Sequence, residues 1–372
     1  MKKIMIVSSS FTGHGHKSIV ESLVEKLEQY NGLEIEIVEG FELFSPISSG
    51  TGKLYGPITR RAKSLWKLSW ETTGKSYKSI TQIVKKMLYK RLLHRLENNP
   101  PDLIMTVHAM FNGTVLDVLK QHDIKIPFIT LIADLVDIHP MWVDRRADHI
   151  LCPTDESMDA CMMLGAPRAI LRRCGLPVRG RFVEAAEKNE RRRYTPERPL
   201  ECLLMSGGEG SGNLKVISRL LLDNVNANIV VICGRNMNLK KKLEKYLAKY
   251  GDRAKVLGFT VNVEDYMNAA DIALMRGSPN SMLEAITCNV PLIITGSLPG
   301  QEARNPEYIY MRGLGVACRD ISQIVPLVKG LLENNAEGLN LIAQRQRSFR
   351  DLRSASDVAE FLYRTVNKKE TE

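Results

Sequence analysis

Short apolar runs alternate with longer amphipathic stretches along this chain, and the alternation occurs twice. In the first half the runs are KKIMIVSSS (2–10), LEIEIVE (33–39), DLIMTVH (102–108), PFITLIAD (127–134) and HILCPT (149–154). Between them, HKSIVESLVEKLEQY and a long basic stretch carry apolar residues at helical spacing. The segment after Phe182, VEAAEKNERRRYTPERP, is polar and charged and reads as a linker. A second series follows: LECLLMSGG, NIVVICG, AKVLGF, IALMRG and VPLIIT, separated by helical segments such as NLKKKLEKYLAKYG. The pattern predicts an α/β protein with two doubly wound parallel-sheet domains, 1–182 and 200–345, joined by a linker over 183–199. The tail, 346–372, ends in AEFLYRTVNKKETE. It reads as a closing helix that frays into charge and packs back toward the first domain.

Composition agrees with that size and class. The chain has 372 residues, 44% hydrophobic and 25% charged, enough to build sizeable cores. MKK runs directly into a strand-like stretch with no signal-peptide pattern, and no apolar run approaches the ~20 residues of a spanning helix. Seven scattered cysteines without a C-x-x-C pair argue against a zinc ribbon or a disulfide framework. The expectation is a soluble or peripheral cytoplasmic protein.

The net charge of +10 is concentrated in one place. Between Lys53 and Arg95 twelve lysines and arginines face a single acid, Glu71, which covers the whole excess. The same segment holds Tyr55, Trp66, Trp70, Tyr77 and Tyr89. Basic residues interleaved with amphipathic aromatics suit an anionic membrane surface, with Arg60, Arg61, Trp66, Trp70, Lys85 and Lys86 as contacts. Nucleic acid is a competing partner, and a solvated helical face is the plain structural alternative.

Ligands of such sheets bind at the carboxyl ends of the strands, so the residues there carry the chemistry. The first strand runs into Gly13-His14-Gly15-His16 and a helix. This is neither a Walker A loop nor G-x-G-x-x-G. Its glycines permit close approach of a ligand. His16 at the helix start serves either as a base, kept neutral by the helix dipole, or as a simple cap. A second end, DLVDIHPMW, delivers Asp134, His139 and Trp142; a turn cap and a core indole are their structural readings. No carboxylate–histidine spacing supports a metal site. The third, MSGGEGSG, gathers Ser206, Gly207, Gly208, Glu209, Gly210 and Gly212. Such a loop collects backbone N–H groups around an anion, although Glu209 also suits a sugar or a domain interface. In the fourth, MRGSPNSMLEA, Arg276 precedes a helix start fit for a diphosphate, and Glu284 lies where it takes ribose hydroxyls, unless it is an exposed residue of an ordinary capped helix. The fifth, GSLPGQEARN, presents Gln301 and Glu302 as acceptors for sugar hydroxyls.

Taken in order, these motifs resemble the monogalactosyldiacylglycerol synthase family, related to the processive diacylglycerol glucosyltransferases and to MurG. The opening loop is similar to G-G-G-H, DLVDIHPMW to D-L-x-x-x-H-P-x-W, SGGEGSG to G-G-G-E-G-x-G, and PGQEARN to P-G-Q-E-x-x-N. GRN (234–236) and GFTVNVEDYM (258–267) also match. The family's K-x-G-P-G-T is replaced by Arg276-Gly277-Ser278-Pro279-Asn280-Ser281, which keeps a cation and a hydroxyl but loses a glycine. The resemblance implies a GT-B fold of two Rossmann-like domains with a cleft between them, the first binding a lipid acceptor and the second a UDP-sugar. It implies an inverting transfer of glucose or galactose to diacylglycerol without metal or cofactor. His16, Asp134 and His139 would be catalytic. The donor would meet Gly13, the loop of Ser206, Gly207, Gly208, Glu209 and Gly210, and Gly234, Arg235, Asn236 and Phe259. Arg276, Gly277, Ser278, Asn280, Ser281, Glu284, Gln301 and Glu302 would complete its contacts. Two alternatives remain: a MurG-like N-acetylglucosamine transferase on a polyprenyl-linked acceptor, and a non-catalytic sugar-nucleotide- or nucleic-acid-binding regulator.

Overall fold

Strands buried on both faces read as unbroken apolar runs, and such runs form the centre of two sheets here. In the computed structural model the described residues are 1–9, 14–43, 72, 77–188, 194–205 and 213–368. Gly13, Arg60, Arg61, Trp66, Trp70 and the loop of Ser206, Gly207, Gly208, Glu209 and Gly210 lie outside them. The chain divides into two units, the first made of Met1–Arg179, Pro299–Gln301 and Arg353–Glu372 and the second of Gly180–Leu298 and Glu302–Leu352.

The first unit runs β1 (Lys2–Ser8), α1 (His14–Leu27), β2 (Leu33–Glu39), α2 (Tyr77–Asn98), β3 (Leu103–Thr106), α3 (Ala109–Gln121), β4 (Phe128–Leu131), β5 (His149–Cys152), α4 (Asp155–Met163) and β6 (Leu171–Arg173). Its six strands are parallel in the order β2-β1-β3-β4-β5-β6. Ile4, Met5, Ile6 and Val7 of β1 are fully buried. The edge strand β2 alternates instead, and its Glu36 takes ion pairs from Lys3 and Arg95. Such charges blunt an edge against further pairing. In α2, Val84, Leu88, Leu92 and Leu96 recur every four residues and form its buried stripe.

The second unit runs α5 (Gly180–Lys188), β7 (Leu200–Met205), α6 (Leu214–Asn224), β8 (Ala227–Ile232), α7 (Met237–Leu247), β9 (Ala254–Leu257), α8 (Val263–Ala269), β10 (Ile272–Met275), α9 (Pro279–Thr287), β11 (Leu292–Ile294), α10 (Asn305–Met311), β12 (Gly315–Ala317) and α11 (Ile324–Phe349). Its parallel sheet has the order β12-β11-β10-β7-β8-β9. One further helix, α12 (Ser354–Asn367), belongs to the first unit and packs on α1 and β1. There Tyr363 stacks on Tyr30 with ring centroids 4.4 Å apart, and Ser354 donates to the Leu176 carbonyl at 3.0 Å.

The expected linker is structured where it is described. Residues 183–188 continue α5, because Phe182 and Ala186, four apart, bury one face that the surrounding charge hides in the sequence. Farther on, Tyr194 is buried, and Arg198 grips Asp271 with two hydrogen bonds of 2.6 Å. Asp271 also accepts from the backbone N–H of Glu201 at 2.9 Å, which ties the entry of β7 to the entry of β10. Cutting one side of a buried pair leaves a charge without compensation. Arg198→Ala and Asp271→Ala should each lower stability by about 3–5 kcal/mol. The double variant should lose much less than the sum. Denaturant unfolding with additive losses, or losses below about 1 kcal/mol, the range of an exposed pair, would rule this clamp out.

Candidate functional site

Each sheet reverses its strand order at one place, and loops diverge there to leave a crevice. In the first unit the reversal lies between β1 and β3, in the second between β7 and β10. Of the described residues singled out in the sequence, His16 follows β1 at the first of these places and Arg276 to Glu284 follow β10 at the second.

At the first, α1 starts at His14 and brings His16 into its opening turn. His16 keeps some exposure, but its Nδ1 is enclosed and has no hydrogen-bond partner among the described residues. Burial pushes its pKa down from 6.5 to about 4, with the backbone of Val107 opposing in part. The positive end of the helix acts in the same sense as burial. The ring of Trp142 lies 6.3 Å from that of His16. Trp142 is held by Asp134, whose Oδ2 accepts from the indole N–H at 2.7 Å. The other oxygen of Asp134 accepts from the Gln301 amide at 2.9 Å, within the first unit. His139 caps the 3-10 turn Pro140–Trp142, its Nδ1 accepting from the Met141 N–H at 3.2 Å. Asn112, fully buried on α3, donates to the Trp142 carbonyl at 3.1 Å and is itself bonded to Thr106. Asp134 thus bonds the Trp142 indole and His139 caps the turn that carries it.

His108 is not among the residues singled out in the sequence. It follows β3, is buried, and caps α3 by accepting from the Met110 N–H at 3.3 Å. Its ring lies 4.7 Å from that of His16. The signal was available: a histidine at the end of an apolar strand, directly before a helix.

At the second place, Arg276 leaves β10 and Gly277 is packed close to Ile294 and Asn305. Helix α9 then starts with Pro279 in its first turn, and its N-cap Ser278 makes no side-chain capping bond. Asn280 and Ser281 are partly exposed in the first turn. Glu284 is buried, which removes the reading of an exposed residue on an ordinary capped helix. Gly234, at a φ of 57° that suits glycine, leads into Arg235 and Asn236; the latter caps α7 through the Leu239 N–H at 3.0 Å. The Arg235 guanidinium lies 5.4 Å from the ring of Phe259, which is exposed.

Two of the expected contact residues are engaged within the protein. Glu302, expected as a sugar acceptor, is buried, pairs with Arg276 at 3.2 Å and accepts from the Leu298 N–H at 2.8 Å. Lys85, expected as a lipid contact, forms an ion pair with Asp117 at 3.1 Å and its side chain is 15% exposed, whereas Lys86 is exposed. Among the described residues no three His, Cys, Asp or Glu side chains gather as a metal would require, and no helix is long and apolar enough to cross a membrane.

Comparison with known proteins follows the same division. Residues 16–178 match the family described as monogalactosyldiacylglycerol (MGDG) synthase, and residues 213–334 match glycosyl transferases group 1. A probable monogalactosyldiacylglycerol synthase 2 of Oryza sativa subsp. japonica is 29% identical over 346 residues, which cover 86% of this chain and 71% of that protein. A processive diacylglycerol beta-glucosyltransferase of Staphylococcus epidermidis is 27% identical over 363 residues, 92% of this chain and 88% of that one. The crystal structure of MurG from Acinetobacter baumannii superposes with a TM-score of 0.65 at 12% identity, covering 98% of this chain and 100% of that one, which shows the shared fold. With two six-stranded parallel sheets of this order and both halves matched, the chain belongs to the family of monogalactosyldiacylglycerol synthases and processive diacylglycerol glucosyltransferases, on the GT-B fold.

Proposed function

We propose that this protein transfers a hexose from a UDP-sugar to the hydroxyl of diacylglycerol, with inversion at the anomeric carbon, and so makes a glycolipid. The observation that carries this reading is His16, a histidine kept neutral at the β1–β3 reversal of a chain in this family. A neutral imidazole accepts a proton, and a desolvated one meets its substrate without competing water. His16 takes the proton of the incoming hydroxyl. That oxygen bonds to the anomeric carbon while the bond from this carbon to the phosphate oxygen breaks, and UDP leaves with the electron pair. The N-terminus of α9 and Arg276 offset the charge growing on the diphosphate. Glu302 keeps Arg276 in place. Glu284 accepts from the ribose, and Gly234, Arg235, Asn236 and Phe259 border the nucleotide. Gly13 and the glycine-rich loop at 206–210 add backbone N–H donors. Asp134 and His139 act through Trp142.

Diacylglycerol stays in a bilayer, so the enzyme must come to the surface. The basic segment from Lys53 to Arg95 supplies the attraction, with Arg60, Arg61, Trp66 and Trp70 as sequence-based contacts. Within its described part, Lys86 and Lys90 are exposed, whereas Lys85 and Arg95 pair with Asp117 and Glu36.

Three outcomes test the reading. His16→Ala should lower kcat by about 10²–10⁴-fold and leave UDP binding intact. Protonation disables the base, so kcat/KM of the unmodified enzyme should stay level until the pH falls toward about 4, rather than breaking near 6.5. Incorporation of label from UDP-glucose or UDP-galactose into chloroform-extractable product measures both; near-normal turnover without His16 would remove it from the mechanism. Glu284→Ala should weaken UDP binding by about 1.5–3 kcal/mol, and calorimetry with an unchanged affinity would refute the ribose contact. On vesicles of phosphatidylglycerol and phosphatidylcholine, charge reversal at Lys86 and Lys90 should reduce sedimentation by roughly 1 kcal/mol per residue or more at low salt. Lys85→Ala should have the smaller effect. Equal binding to neutral vesicles would exclude the electrostatic part.

A further inference from the structure

His108 belongs to no motif of the site, yet its ring lies closer to that of His16 than Trp142 does. At the N-cap of a helix, short polar side chains such as Asn, Asp, Ser and Thr are favoured. A histidine there fills the capping role through Nδ1 and adds a ring that capping does not need. Because Nδ1 accepts the Met110 N–H, the proton of the neutral ring sits on Nε2. The ring is enclosed by Phe111, with centroids 5.0 Å apart, and by the edge of Phe41 at 5.9 Å, and it meets His16 at 4.7 Å with an interplanar angle of 47°. His16 Nδ1 meets no hydrogen-bond partner among the described residues; the Val107 backbone acts on the ring, and the rings of His108 and Trp142 pack beside it.

We propose that His108 is a positioning residue for His16: its capped, enclosed ring is the wall that sets the angle of the His16 imidazole and keeps water from it. The proposal rests on the reading of His16 as the general base. Burial holds His108 itself well below the ordinary histidine range, with the neighbouring His16 charge acting in the same direction. Contact is therefore between two neutral rings. Beside His16 lie the rings of His108 and Trp142, and the Val107 backbone acts on it; of these three only His108 titrates.

Two variants separate the ring from the cap. His108→Asn keeps an N-cap acceptor and removes the ring; His108→Phe keeps a ring and removes the acceptor. The His16 resonance, assigned by its loss in His16→Ala, is titrated by NMR in the free protein, and kcat/KM is measured against pH. In His108→Asn the His16 pKa and the acid limb should both rise by at least about one unit as water reaches the ring. Its kcat/KM should fall about ten- to a hundred-fold from lost alignment, while the melting temperature stays near that of the unmodified protein. In His108→Phe the titration should stay in place and the melting temperature should drop. An Asn variant with an unmoved His16 titration and unchanged kcat/KM would overturn the proposal. A moved titration with an unmoved acid limb, or turnover surviving in His16→Ala, would instead overturn His16 as the base, and the positioning role with it.

Discussion

A parallel strand returns to its sheet only by crossing over a face, so every strand's carboxyl end points the same way and every connection after it starts there. That constraint assembles both sites. β1, β3 and β4 are consecutive neighbours in the first sheet, and their ends lead to His16, His108 and Asp134. These residues lie far apart along the chain and come together because their strands are adjacent. In the second sheet β10 neighbours β7, so Arg276 and the start of α9 follow the strand that flanks the reversal point.

Legibility in the sequence follows from the same geometry. Strand runs buried on both faces were plain, because nothing polar interrupts Ile4 to Val7 or Ile272 to Met275. His16, Asp134 and Trp142 stood out because each ends an apolar run beside glycine, proline or another polar group. His108 did not, since an apolar strand precedes it and Ala109, Met110 and Phe111 follow, so it reads as one more core position. The chemistry of Glu302 was also out of reach. Its pairing with Arg276 spans 26 residues and depends on β10 and β11 lying side by side, which adjacency in sequence to Gln301 does not reveal. In α5, composition outweighed spacing. Two apolar contacts, Phe182 and Ala186, order a segment whose other residues are mostly charged.

Charge shows the same division between count and placement. The positive excess of the Lys53–Arg95 segment is a property of the sequence, but part of it is neutralised inside the first unit. Lys85 shares Asp117 with Arg146, at 3.1 and 2.7 Å, and Arg95 shares Glu36 with Lys3. These pairs join α2 to α3 and to β2, so the same residue type fastens the helix to its unit on one face and leaves Lys86 and Lys90 toward solvent on another.

The low proton affinity of His16 is at first sight a poor property in a base. A pKa of about 4 makes the resting ring neutral at any physiological pH but disfavours the imidazolium that proton transfer must create. The proposed reaction supplies the compensation. As the proton moves to His16 in the proposed reaction, negative charge moves to the departing diphosphate, so a cation and an anion develop together. Low dielectric penalises an isolated charge and strengthens the attraction within a pair, and both effects come from the same burial. A ring that ionises only when the leaving group does is matched to the transition state rather than to the resting enzyme. Desolvation by Trp142 and His108 then becomes part of the catalytic device, because a wetter His16, nearer the ordinary 6.5, would carry a proton in a larger fraction of resting molecules.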